Sequence, residues 1–276
     1  MEPFFSLIII GFVALVMEMV DAGMGMGYGT ILTPVAIAAG YEPAMIVPVI
    51  LLSQAVGGFT ASLFHHQLGN VNFKPKTANP KRIAKALRKL GVVESFKQGF
   101  THEFKGTLML TLLGVLATFG GAVIATKLPG TALKVYIGAL VLAMGLLLIF
   151  KKKPWVFSWK KMLGIGVLAS FNKGATGGGF GPLATGGQVV IGNDHKKAIG
   201  STTLAEAPIC LTAFLTYIGL QGIPNVPLLI AACVGAMLGA PLGALCTKKL
   251  NETKMKKSIA VAMVLLGLWT LLKLVW

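Results

Sequence analysis

Acidic residues are few: nine Asp and Glu stand against 25 Lys and Arg in 276 positions. Charge of either sign is scarce, at 12% of the chain, about half of what soluble domains carry. Hydrophobic residues make up 55%, and mean hydropathy is +0.78. That balance excludes a soluble fold and points to an all-α integral membrane protein. Cysteine is rare as well. Cys210, Cys233 and Cys246 lie singly in apolar stretches without a CxxC spacing, so neither a disulfide framework nor a thiolate metal centre is expected. His65, His66, His102 and His195 form no HExxH or related spacing, so no metal is expected. No Walker motif is present, which removes ATP as the direct driver, and no cofactor is expected. Met1-Glu-Pro-Phe4 carries no basic run ahead of the first apolar stretch, so no cleaved signal peptide is expected. The net charge of +16 matters by where it sits in a membrane protein, so nucleic acid is not the expected partner.

Against these absences stands an abundance of glycine, clustered twice inside apolar sequence. The first cluster is Asp21-Ala-Gly-Met-Gly-Met-Gly-Tyr-Gly29, the second Asn172-Lys-Gly-Ala-Thr-Gly-Gly-Gly-Phe-Gly181. Gly27-Tyr28-Gly29 aligns with Gly179-Phe180-Gly181 at a separation of 152 residues, and Asp21 then falls opposite Asn172 after a one-residue shift. A helix interrupted in lipid leaves backbone groups unpaired, which hydrocarbon tolerates only where the break lines a cavity or faces protein. Breaks at matching places in two halves mark the binding site of a transporter.

Apolar segments of bilayer length run over about 43–66, 106–126, 131–150, 198–219, 226–246 and 256–275. Two more, about 4–40 and 162–192, hold the breaks, and each reads as half-helix, loop, half-helix. The pieces 30–39 and 182–191 are too short to span, since ten residues cover about 15 Å. Of the 25 basic residues, 21 fall in 67–105, 151–161, 194–197 and 247–257, which the positive-inside rule places in the cytoplasm. The connections near Lys127–Gly130 and Gln221–Asn225 then lie outside, as do both termini. This labelling fits an inverted repeat of two four-element halves, 1–150 and 151–276, each opening with a broken re-entrant helix hairpin. The rival reading has each broken unit crossing fully. The first half carries a basic cytoplasmic insert, 67–105, within which Lys81–Leu90 reads as an amphipathic helix suited to anionic headgroups or as a solvated linker. Gly235, Gly239 and Gly243 form a ladder for close approach of another helix.

At each break a second half-helix starts with free N–H groups and a positive dipole end, a pattern that binds anions. Gly25, Gly27, Tyr28, Gly29 and Thr30 in one copy, and Thr176, Gly178, Gly179 and Gly181 in the other, are the candidate binding residues. Thr30 and Thr33 supply hydroxyls, and Pro182 suits a helix start. The alternative is that the glycines serve only tight packing. Lys173 lies twelve residues beyond Lys161, about 18 Å deep. It either binds an anion or pairs with Asp21 or Glu206. Asp21 and Glu206 are candidate proton carriers, since intramembrane acids default to functional roles. Glu18 either joins them or faces the protein boundary. Gln54 lies opposite Glu206 at the same 152-residue offset, which suggests a cavity wall. His65 is interfacial or gates the inner vestibule.

Gly25-Met-Gly-Tyr-Gly-Thr-Ile-Leu-Thr-Pro34, Gly177-Gly-Gly-Phe-Gly-Pro-Leu183, Ser62-Leu-Phe-His-His-Gln-Leu-Gly-Asn-Val71 and Lys197-Ala-Ile-Gly-Ser-Thr-Thr-Leu204 together resemble the TauE/SafE family of sulfite and sulfonate permeases. The resemblance covers most of the chain outside roughly 74–104. It implies transport of small sulfur-containing anions, often export, on a duplicated helical fold. The combined expectation is a secondary transporter in the cell membrane whose partners are such an anion and the lipid bilayer. The alternatives are an anion channel using the same midplane site, and a membrane enzyme. The last lacks convergent catalytic groups, so the chain is not expected to be an enzyme.

Overall fold

The computed structural model describes residues 3–74, 101–150, 158–190, 194–247 and 252–272. The expected amphipathic helix at Lys81–Leu90 lies outside them. Among the described residues there are ten helices and no strand. They are α1 (Pro3–Met24), α2 (Tyr28–Ala38), α3 (Pro43–Gln67), α4 (His102–Lys127), α5 (Gly130–Phe150), α6 (Trp159–Thr176), α7 (Phe180–Val190), α8 (His195–Gln221), α9 (Val226–Cys246) and α10 (Glu252–Leu272).

Local chemistry sets the ends. Thr101 caps α4 by accepting from Phe104 N at 3.3 Å. Asp194 caps α8 by accepting from Lys197 N at 3.1 Å, and Asn225 caps α9 by accepting from Leu228 N at 3.1 Å. Pro43 opens α3, where a missing N–H costs nothing. Pro182 is the third residue of α7, inside its first turn as the sequence suggests.

Six helices are long and apolar enough to cross a membrane: α1, α3, α4, α5, α8 and α9. Five match expected segments. The sixth expected segment, 256–275, forms α10, in which Met263–Leu272 is an apolar stretch among the described residues. The remaining one of the six is α1. It is longer than a half-helix, since 22 residues rise about 33 Å, whereas α2 has only eleven residues. The outer surface is apolar, with Phe12, Leu116, Leu215 and Trp269 well exposed, while Glu18, Asp21, Lys173 and Glu206 are buried. Apolar outside and charged inside is the arrangement lipid selects. The protein is a multi-pass, all-α membrane protein.

Close packing rests on small residues. A Cβ at Gly235, Gly239 or Gly243 would strike the carbonyl oxygens of Gly11, Leu15 or Met19, so the ladder of α9 receives the backbone of α1. The contact positions rise together in both helices, which therefore run parallel. α4 and α6 pack in the same manner, with Gly106, Gly114 and Gly174 against Met162, Ser170 and Thr118, and are also parallel. α3 and α8 pack against each other between these pairs, and α5 packs on α10.

Candidate functional site

The two helix breaks fall where the glycine clusters place them, and they meet. α1 ends before Gly25 (φ 70°) and α6 before Gly177 (φ 71°), both in the left-handed region that glycine enters without strain. A Cβ on Gly29 would collide with the Gly177 carbonyl, and one on Gly181 would lie 2.5 Å from the Gly25 carbonyl oxygen. Residues 21–30 and 172–182 are all buried. The glycines therefore do pack tightly, but they pack break against break.

Side chains satisfy several amides at the junction. Asp21 Oδ1 accepts from Tyr28 N at 3.1 Å, so a carboxylate sits on the N-terminus of α2. Thr30 Oγ1 accepts from Gly179 N at 3.1 Å across the junction. Thr176 Oγ1 accepts from Gly178 N at 3.1 Å and donates to the Asn172 carbonyl at 2.8 Å. Asn172 Oδ1 accepts from the Tyr136 hydroxyl. Buried Tyr28 donates its hydroxyl to Ser53 Oγ at 2.6 Å, which fixes the start of α2 against the middle of α3.

Beside the junction lies a charged network drawn from α1, α3, α6 and α8. Lys173 Nζ lies 2.9 Å from Glu206 Oε1 and donates to Gln54 Oε1. Gln54 Nε2 donates to Glu206 Oε1 at 2.9 Å and is 3.2 Å from Asp21 Oδ2. Lys173 is 1% exposed and Glu206 3%. An ion pair this deep persists only with further hydrogen bonds, and Gln54 supplies them. Gln54 and Glu206, 152 residues apart in sequence, touch directly.

The structure thus brings the two breaks together beside Lys173, Asp21, Gln54 and Glu206, while Gly27 lies against Val20 and Ile31 of its own segment. His65 stands apart. It is buried, with Nδ1 accepting from Asn70 Nδ2 at 3.0 Å and Nε2 donating to the Ala22 carbonyl at 2.8 Å. Asn70 Nδ2 also donates to the Ala244 carbonyl at 3.1 Å. His65 ties the end of α3 to the last turn of α1 and to α9, where a carbonyl freed by helix termination needs a donor.

Thr33 and Glu18, both noted in the sequence, and Thr185, which was not, also lie at this centre. The hydroxyls of Thr33 and Thr185 are buried without a hydrogen-bond partner. Thr185 Oγ1 would lie 2.6 Å from a Cβ on Gly25, and Thr33 Oγ1 3.3 Å from one on Gly177. Their 152-residue separation was the signal that could have picked out Thr185. Glu18 is fully buried, and neither carboxylate oxygen has a partner.

Toward the 194–197 end, a cleft is lined by Glu103, Gln188, Asp194, Lys197 and Ser201. Lys197 Nζ pairs with Glu103 Oε1 there at 2.8 Å, and Gln188 Nε2 donates to Thr202 Oγ1 at 2.7 Å further along α8.

Helices long enough to cross a bilayer, around a buried charged centre at paired helix interruptions, define a membrane transporter. The chain matches the family model for the sulfite exporter TauE/SafE over residues 84–270, and it belongs to that family. It is 24% identical, over 283 residues, to the Bacillus subtilis (strain 168) protein described as "Probable membrane transporter protein YtnM", covering 97% of this chain and 83% of that one. No solved structure matches the chain.

Proposed function

We propose that the chain is a secondary transporter of small sulfur-containing anions such as sulfite or sulfonates, which bind where the two breaks meet. The observation that carries this reading is the mutual contact of Gly29 with Gly177 and of Gly181 with Gly25. At the 152-residue offset Gly25 corresponds to Gly177 and Gly29 to Gly181. Each half therefore presents the same pair of positions to the other, the signature of a two-fold relation. Direct contact between the corresponding residues Gln54 and Glu206 supports the same axis. Parallel packing of α1 with α9, and of α4 with α6, supports an inverted repeat of halves 1–150 and 151–276.

Other contacts support re-entrant hairpins. Tyr28, at the start of α2, bonds to Ser53 midway along α3, and α2 ends where the chain turns into α3. α2 therefore returns toward the side from which α1 came. Orientation follows from charge. Lys134 pairs with Glu42 at 2.8 Å on the side poor in basic residues, which we assign to the exterior. Lys197 pairs with Glu103 on the basic side, assigned to the cytoplasm. Both termini are then external.

Chemistry favours an anion. The N-terminus of α2 already holds a carboxylate, that of Asp21. At the offset that relates Gly25 to Gly177, Asp21 corresponds to Lys173, so the start of α7 has no fixed carboxylate in that place and its dipole is not neutralised. An anion docks there when the breaks part, taking the Gly178 and Gly179 amides from Thr176 and Thr30, beside Gly181 and the free hydroxyls of Thr33 and Thr185. Lys173 supplies the charge by exchanging Glu206 for the anion. In the conformation described the breaks are closed on each other, an occluded state. Rocking α1–α2 against α6–α7 opens the site to either side, and the cleft at Lys197 and Glu103 is the cytoplasmic approach.

Flux of sulfite, sulfoacetate, taurine and thiosulfate into proteoliposomes tests the reading. Saturable flux of at least one, accelerated by the same anion preloaded inside, is expected. Flux that never saturates and ignores preloading would instead indicate a channel.

A further inference from the structure

Glu18 has no role in the anion site described above, yet the fold makes room for it. Its carboxylate lies against Gly57 of α3, so closely that a Cβ there would be 2.5 Å from Glu18 Cδ and 2.7 Å from Oε1. Shifted by the 152 residues that relate the breaks, Glu18 and Gly57 become Ser170 and Ile209. The second half thus has a small polar side chain and a large apolar one where the first has a carboxylate and no side chain at all. The exchange is complementary in volume, so the first half is shaped to hold a carboxyl group at this place.

Having made the space, the protein leaves the group unsatisfied. Glu18 is 0% exposed, and both oxygens lack a hydrogen-bond partner. An isolated carboxylate is among the costliest groups to bury. The charged groups that act on it are Asp21 on its own helix, Glu206 on α8 and Lys173 on α6. Tyr28 on α2 and Cys210 on α8 complete the titratable surroundings. Lys173 is engaged by Glu206 and Gln54, so three buried carboxyls share one ammonium. A metal ion would need several converging ligands, and among the described residues no three His, Cys, Asp or Glu side chains converge to hold one. A proton needs only a carboxylate oxygen.

We infer that Glu18 is the site at which a coupling proton is loaded and released during anion transport. The inference rests on the anion-transport reading and fixes the sign of the coupling. With Glu18 ionised, the centre carries excess negative charge that opposes an anion at Lys173. With Glu18 protonated, that opposition falls. Proton and anion therefore favour each other's binding and move in the same direction.

Sulfoacetate, whose acidic groups stay ionised near neutral pH, is the probe. In wild-type proteoliposomes, acidifying the side that holds sulfoacetate by one unit is expected to raise flux severalfold. In Glu18→Gln the ratio of flux with and without the gradient is expected to fall to about one. An undiminished ratio in Glu18→Gln overturns the proposal. If that variant does not fold, infrared spectroscopy of the wild type decides. A carboxylic C=O band that moves in Glu18→Asp supports the site, and a band unchanged in Glu18→Asp, or none at any pH at which the protein stays folded, contradicts it. Absence of flux of all four sulfur anions in the wild type contradicts the transport reading alone, and the infrared band then still reports on Glu18.

Discussion

Lys173 is held by two side chains from different helices, and each holds the other. Such a group cannot be removed singly without leaving a buried carboxylate unpaired. Lys173→Met is expected to destabilise the protein by about 3–5 kcal/mol. Pairing it with Glu206→Gln should recover a large part of that loss. Thermal unfolding in detergent of the two single variants and the double variant checks this, and strictly additive effects would mean the pair is not coupled. Thr33 and Thr185 make the opposite case, since their hydroxyls have nothing to lose in the closed state. Thr33→Val and Thr185→Val should each raise the KM for the anion about fivefold, the worth of one hydrogen bond, and leave stability nearly unchanged. A stability loss without a KM change would make them packing residues. In the sequence, Lys173, Asp21 and Glu206 stand out because charge in apolar runs is conspicuous. Thr185 does not, because threonine is unremarkable in a membrane helix. Glu18 stands out for the same reason as the other charges, but which of its two readings holds does not: where lipid and core are both apolar, helical periodicity does not tell an inward face from an outward one.

Helix interruptions show how far local sequence carries. Gly25 and Gly177 adopt the same positive φ because each ends a helix that must turn at once into another. That much is written in the glycine clusters. Which surface the glycines face is a tertiary fact, and the answer is each other. Gly29→Ala should therefore be severe, costing more than about 3 kcal/mol, because the clash is with rigid backbone. Gly120→Ala on α4 is the control. Nothing lies within 4 Å of its would-be Cβ, and helical alanine is favoured over glycine by about 0.5–1 kcal/mol. Folded yield and melting temperature compare the two, and equal tolerance would contradict the described junction. The ladder at Gly235, Gly239 and Gly243 was legible because spacing by four on a helix makes one continuous groove. The length of α1 was less so. Its apolar run merges into the glycine cluster, and only the break fixes where it stops.

On the repeat we propose, the whole molecule is a pair of similar halves made unlike at a few positions. At the 152-residue offset Asp21 corresponds to Lys173, Glu18 to Ser170, and Gln54 to Glu206. Repeated backbone supplies the paired breaks, and the unlike side chains supply charge on one flank of the junction. Topology tests the arrangement directly. With the three native cysteines replaced, a cysteine at Gly222 should label from the exterior and one at Asn72 only after permeabilisation. The reverse pattern would invert the assigned orientation. The deciding measurement is counterflow. Wild-type proteoliposomes preloaded with unlabelled sulfite should accumulate radiolabelled sulfite transiently above its external level, and Lys173→Gln vesicles with equal protein should not. Equal counterflow in both, or none in the wild type for any of the four sulfur anions, would contradict an anion site where the two breaks meet.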